Sequence, residues 1–239
     1  MHVSKWDTVD SIVTRNLKAA EIFNEYGIDF SCYGGRTLER ACMEGHVFVE
    51  ELLEELSELK DFDESVPDFG KMSIDMLVTY IQGTHHKYTD KKLVFIRNNI
   101  ERLVRENNAN YFQLIKLKHT FDDLSTHLTI HMQQEEFLLF PYIKKMARKG
   151  MVDTHIFRSI QEPITAMQSD HTDERKSFKT LLNITYHYST PATGDLAYKT
   201  TYAAIKELEH DMRIHMHLEN NILFPRAIHL ENELKKRTN

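Results

Sequence analysis

Helix-breaking residues are scarce in this chain: 8 glycines and 5 prolines among 239 residues. That scarcity excludes collagenous and low-complexity architectures and leaves room for long uninterrupted helices. Cysteine is nearly absent. Two residues, Cys32 and Cys42, make a poor disulfide framework, and a reducing cytoplasm is the expected compartment. No stretch approaches the roughly 20 apolar residues of a membrane span. The N-terminus, Met1 to Asp7, lacks the apolar core of a signal peptide. No basic run stands out among 30 Lys plus Arg against 36 Asp plus Glu, net charge -6, so nucleic acid is not an expected partner. No Gly-x-Gly-x-x-Gly and no Walker loop occurs, which removes the usual flavin and nucleotide fingerprints. With 41% apolar and 28% charged residues the chain reads as soluble and globular. What it has in excess is histidine, 14 copies.

Apolar spacing predicts a helix over 7–27, stopped by Gly27, then a turn-rich break at Asp29–Gly35 and short helices over 36–44 and 47–60. The acidic segment from Asp61 to Gly70, with Pro67 and Gly70, reads as a linker. Four long patterns follow at about 73–106, 110–148, 158–188 and 197–234. Pro163 falls in the first turns of the third, where proline is tolerated. Ser189–Asp195, with Pro191 and Gly194, is a break. The expected organisation is a small N-terminal helical domain (1–60), a linker (61–72) and an all-α, up-down-up-down four-helix bundle (73–239). The N-terminal segment is expected to be separable.

In a bundle each helix buries a stripe of residues spaced three and four apart. The second long helix gives Leu114, Leu117, Phe121, Leu124, Leu128, His131, Glu135, Leu138 and Tyr142. The fourth gives Ile205, Leu208, Met212, His215, Glu219 and Ile222. The first gives Ile74, Val78, Ile81, His85 and Tyr88, and the third Ile160, Ile164, Met167, His171, Glu174, Phe178 and Leu181. Each apolar seam is interrupted near its middle by a histidine, and two of them by a His-x-x-x-Glu pair. Buried carboxylates and imidazoles need partners, and a metal supplies one. Residues at i and i+4 share a helix face, so each pair can reach one cluster. Four imidazoles and two carboxylates suit two iron ions bridged by both glutamates, with positions left open for oxo, water, oxygen or nitric oxide. Zinc also takes imidazole and carboxylate, and a mixed iron–manganese site is not excluded.

A duplication supports this set. Ile130-His131-Met132-Gln133-Gln134-Glu135 leads to Phe140-Pro141, and Ile214-His215-Met216-His217-Leu218-Glu219 leads to Phe224-Pro225. A single His-x-x-x-Glu is ordinarily a surface pair. Two copies in buried seams, sharing a Phe-Pro continuation and in register with two further histidines, are not. A metal-free polar network of satisfied core histidines is the competing reading. His86 and His217 fall off the seams and read as solvated, and Glu136 as facing away. His127, Asp170 and Glu174 flank the ligands, as groups behind the ligands or, for His127 and Glu174, as occasional ligands.

With these residues in place, the chain from about residue 70 onward resembles a hemerythrin-like domain, and the whole chain resembles the bacterial repair-of-iron-centres family. His-Met-x-x-Glu-x-x-x-Leu-Phe-Pro at 131–141, its partner His-x-x-x-Glu-Asn-Asn-Ile-Leu-Phe-Pro at 215–225, and the run from Tyr26 to Leu38 with Ala41-Cys42 carry the match. The resemblance implies ligands at His85, His131, Glu135, His171, His215 and Glu219, two non-haem irons per chain bridged by oxo and carboxylate groups, and an acid before the third histidine at Asp170. It implies a stress protein that restores damaged iron–sulfur proteins, by iron donation or by reducing nitric oxide. A sensor or carrier of oxygen or nitric oxide is the alternative, and a homodimer is left open. One position departs from the family pattern. Ser31 stands where the first of two adjacent cysteines is usual, which leaves Cys32 as a lone thiol and puts any vicinal-dithiol role in doubt.

Overall fold

The scarcity of breakers is realised as helix. The computed structural model describes residues 1–59, 67–106, 111–191 and 196–238. Residues 61–66 of the expected linker, and the Ala192–Asp195 part of the expected break, lie outside the described residues. Among the described residues the fold is all-α, with one isolated bridge between Thr8 and Thr37. Four short helices come first: α1 (Val9–Arg15), α2 (Ala19–Glu25), α3 (Leu38–Gly45) and α4 (Val49–Glu58). Four long ones follow. Helix α5 runs through Ile74–Ile81, a π turn at Gln82–His86, and Lys87–Glu106. Helix α6 comprises Tyr111–Gln134, a π turn at Glu135–Leu139, and Phe140–Lys149. Helix α7 is Gln161–Ile184. Helix α8 comprises Leu196–His217, a π turn at Leu218–Leu223, and Phe224–Thr238.

The chain forms two compact units. One comprises Met1–Thr79, Ile143–Gln161 and Arg213–Asn239, the other Tyr80–Tyr142 and Glu162–Met212. The second unit is a four-helix bundle. Its neighbours run antiparallel, as the contacts show. His86 meets Glu136 while Arg97 meets Ser125; His171 meets His131 while Gln113 meets the Ile184 carbonyl; His85 meets Asp211 while Lys92 meets Glu207. Leu114, Leu117, Phe121, Leu124 and Leu128 of α6 are buried in its core with Leu93, Ile96 and Ile100 of α5 and Phe178 and Leu181 of α7. Each such side chain contributes about 1.5–3 kcal/mol through burial, before the entropy of ordering it is set against that.

In the first unit the N-terminal helices enclose Val9, Ile12, Val13, Phe23, Phe30, Leu38, Leu52 and Leu56, and Ile214 of α8 packs against this core. Gly34 permits a close approach: a Cβ there would lie 2.5 Å from the Phe30 carbonyl oxygen and 2.6 Å from Asp10 Cβ.

The structure corrects three expectations. The helix expected over 7–27 breaks after Arg15, where Asn16 turns extended (φ -151) and its side-chain oxygen accepts from the Lys18 amide at 3.0 Å. A local Asx hydrogen bond thus outcompetes helix continuation. The third long helix ends at Ile184 and not at 188. Tyr186, His187 and Tyr188 lie in the left-handed region (φ 48, 59 and 59), and the His187 amide closes back on the Leu182 carbonyl at 2.8 Å. That is the usual way of satisfying final carbonyls, here without glycine and therefore strained. Third, three long helices carry π turns, each at or next to a His or Glu of the expected ligand set. Each π turn inserts a residue into the α phase, and such turns concentrate at functional sites.

Candidate metal centre

The bundle unit carries the larger share of the expected ligands. His131, Glu135 and His171 are buried at 2%, 0% and 0% exposure, and each offers a donor atom within 4.8 Å of the others. The Nε2 atoms of His131 and His171 face each other at 3.1 Å. Glu135 lies between two histidines: its Oε1 is 3.4 Å from His131 Nε2 and its Oε2 is 3.4 Å from His86 Nε2. In the first unit His215 Nε2 is 2.8 Å from Glu219 Oε1, both fully buried.

This donor set fits a cation. Imidazole nitrogens and carboxylate oxygens all aim lone pairs inward, and in a dry interior they repel unless protons or metal ions lie between them. The opposite ring nitrogens face carboxylates, within hydrogen-bond distance for His85 and His86. His85 Nδ1 is 3.0 Å from Asp211 Oδ1, His86 Nδ1 is 2.8 Å from Glu136 Oε1, and His131 Nδ1 is 3.8 Å from Asp170 Oδ2 and 3.9 Å from Glu174 Oε1. A carboxylate at Nδ1 favours the tautomer whose Nε2 lone pair is free for a metal. Burial pushes the His131 imidazole down, but the charges of Glu135 and Glu174 and the contact with Asp170 outweigh it. The group is held well above the ordinary histidine range. The protein therefore favours positive charge at this point, whether a proton or a metal ion carries it. Asp170 is held below the usual carboxylate range, first by the His131 imidazole beside it.

The flanking residues differ in burial. His127, which is exposed, lines a pocket of about 260 Å³ together with Ile130, His131, Gln134, Asp170, Asp173 and Glu174. Glu174 is only 3% exposed. Cys32 is half-buried and Cys42 buried, both as free thiols. Ser31 is fully buried, and its hydroxyl donates to Asp29 Oδ1 at 2.9 Å, so the hydroxyl is used where the family commonly has a thiol.

Two histidines read as solvated are buried. His86 is 1% exposed and stacks on Phe140 with ring centroids 5.6 Å apart. Strict α periodicity allows one inward residue of the His85-His86 doublet. The π turn at Gln82–His86 lets both be buried, His85 at 4%. His85 instead meets Asp211 and the edge of Tyr80. Glu136 does not face away; it holds His86. His217 is fully buried in the first unit, where burial drives its pKa down to about 4, so it is neutral near neutral pH. The i, i+4 spacing His217–Asn221 was the available signal for the polar partner of His217.

Two family models match in succession. Residues 5–60 match a domain of unknown function, DUF542, and residues 77–227 match the hemerythrin HHE cation-binding domain. Among curated relatives, an iron–sulfur cluster repair protein ScdA from Staphylococcus haemolyticus is 27% identical over 90% of this chain and 95% of its own length. Iron–sulfur cluster repair proteins YtfE from Musicola paradisiaca and an Enterobacter species are 29% and 30% identical, each over 88% of this chain and 91% of theirs. No helix among the described residues is long and apolar enough to cross a membrane. The chain belongs to the hemerythrin family and, within it, to the repair-of-iron-centres group that the motifs of both its segments resemble.

Proposed function

We propose that this protein holds a non-haem di-iron centre and uses it to repair iron–sulfur clusters damaged by nitrosative or oxidative stress. The observation that carries the reading is Glu135, a fully buried carboxylate whose two oxygens face two different imidazoles at 3.4 Å each. One metal needs one oxygen; two oxygens aimed at two histidines suit a bridge between two metals. The proposed ligands are His86, His131, Glu135, His171, His215 and Glu219. Glu219 takes the second carboxylate role by its matching motif, and His86 takes the place that α periodicity gives to His85. The relatives named for iron–sulfur cluster repair support the biological role.

Bound iron would supply redox chemistry and open coordination positions for nitric oxide or oxygen. The chain's own contribution is positioning. Glu136 fixes the His86 tautomer, Phe140 packs on the face of the His86 ring, and Asp170 and Glu174 add negative charge beside His131. The pocket reaching His131 from the His127 side offers a route from outside to this ring.

Metal analysis of iron-replete protein tests the reading. About two irons per chain are expected for the wild type and for His85→Ala, and about one for His86→Ala. A metal-free protein, or one zinc per chain, would refute it. Incubating reduced protein with a damaged cluster enzyme separates the chemistries. Recovered enzyme activity with stoichiometric iron loss identifies a donor, and nitrous oxide formed from nitric oxide over many turnovers identifies a reductase. Reversible binding with neither outcome identifies a sensor.

A further inference from the structure

The outer face of the α8 π turn is bonded to the N-terminal segment through an unbroken polar relay, all within the first unit. Asn221 Nδ2 donates to the Phe30 carbonyl at 3.0 Å, to the Ser31 carbonyl at 3.4 Å and to His217 Nδ1 at 2.9 Å. His217 Nε2 lies 3.3 Å from Thr14 Oγ1. Thr14 in turn donates to the Asp10 carbonyl at 2.8 Å. Asn220 Nδ2 adds a bond to the Ser31 carbonyl at 3.1 Å. Arg213 bonds the Asn24 side chain and lies over the Phe30 ring, and the Phe30 ring meets the His217 ring edge-on at 6.0 Å. The acceptors on the N-terminal side are the Phe30 and Ser31 carbonyls between α2 and α3, the Thr14 hydroxyl of α1 and the Asn24 side chain of α2, with Cys32 Sγ 3.9 Å from Asn220 Nδ2. No element of the metal reading uses these contacts.

Their position gives them a task. The π turn covers Leu218–Leu223, so Glu219, Asn220 and Asn221 are three consecutive residues inside it. A π turn carries one residue more than the α-helix around it and is intrinsically less stable than regular helix. If the insertion slides along the helix, the residues it passes rotate by about 100° about the axis, one residue's share of a 3.6-residue turn. Glu219 would then no longer present its carboxylate beside His215 Nε2. Asn220 and Asn221 are fastened to two successive carbonyls, Phe30 and Ser31, so sliding breaks both bonds together.

We infer that His217, Asn220 and Asn221 are positioning residues. Through them the N-terminal segment pins the π turn and thereby fixes the direction of the Glu219 carboxylate toward iron. The inference rests on the di-iron reading and assigns the N-terminal segment a mechanical role in metal retention that does not require Cys32.

The test uses full-length, iron-loaded protein, with iron per chain, the rate of iron loss to a strong chelator, and the visible absorption spectrum of the oxidised form as readouts. Asn221→Ala and His217→Ala should each speed iron loss about tenfold, the size expected for residues supporting a metal ligand, and should shift the spectrum. Since the two act in one relay, the double variant should be little worse than either single one. Ser159→Ala, which removes a bond to Glu231 in the same unit, serves as a stability control and should leave spectrum and release rate unchanged. Should Asn221→Ala not fold, Asn220→Ala, which removes the Ser31 bond and leaves the relay, should show the same spectral shift at a smaller size. Wild-type spectra and release rates in folded Asn220→Ala and His217→Ala variants would overturn the inference while leaving the di-iron reading standing. A wild type without iron would instead overturn the reading itself.

Discussion

Glu136 provides a quantitative check of how the bundle holds its metal. By α periodicity it lies one residue off the seam, and Glu136→Gln should be silent. In the structure its Oε1 takes the His86 Nδ1 hydrogen at 2.8 Å, while the other ring nitrogen faces Glu135 at 3.4 Å. A hydrogen bond to a charged acceptor contributes about 1.5–3 kcal/mol, against about 0.5–1.5 for a neutral one. The Glu136 side chain is 37% exposed, and solvent screening favours the low end of the charged range. Glu136→Gln keeps an acceptor oxygen and loses the charge, for a difference of about 1 kcal/mol, or roughly fivefold weaker binding of the metal next to His86. Glu136→Leu removes the acceptor and frees the ring to change tautomer, for a loss of roughly 10–100-fold. Competition against a coloured chelator of known affinity, titrated with ferrous iron without oxygen, measures both. The ordering wild type, Gln, Leu is the signature. Wild-type affinity in the folded Leu variant would refute the orienting role of Glu136, and with it the case for His86 over His85.

Three other outcomes are expected. Glu135→Leu and Glu219→Leu should each cost most of the bound iron, measured by metal analysis, because each removes a proposed shared ligand; a full complement in either would break the bridging scheme. Tyr202 is pushed up to about 12, chiefly by burial and then by Tyr198 and Tyr186. A phenol raised above its ordinary value near 10 contributes stability that is complete below pH 10 and lost as pH rises through 12, so urea midpoints should fall across that window and fall less in Tyr202→Phe. Glu231, 2% exposed, accepts from the Ile160 amide at 2.9 Å and the Ser159 hydroxyl at 3.0 Å. Glu231→Ala leaves the buried amide without this acceptor and should cost about 1–3 kcal/mol by urea denaturation.

The sequence by itself determined the helical architecture and most of the candidate centre. Seam periodicity depends on residues three and four apart on one helix, and such local patterns are written in the chain. That is why Leu114 to Leu128 could be assigned to the core, and why the two His-x-x-x-Glu pairs stood out. The duplicated Phe-Pro continuation needed no structure either. Only tertiary structure decided where the α phase breaks. A π turn is unfavourable locally and persists because contacts elsewhere compensate: Glu136 and Phe140 of α6 for the His85-His86 doublet, and the Phe30 and Ser31 carbonyls for Asn220 and Asn221. Those partners lie 50 to more than 180 residues away in sequence, and no window along the chain contains both ends. The same holds for His217, off the seam and yet buried, because the surface that covers it is the N-terminal segment with Thr14 and Phe30. Local spacing set which residues share a helix face; the packing of distant segments set which of them meet water.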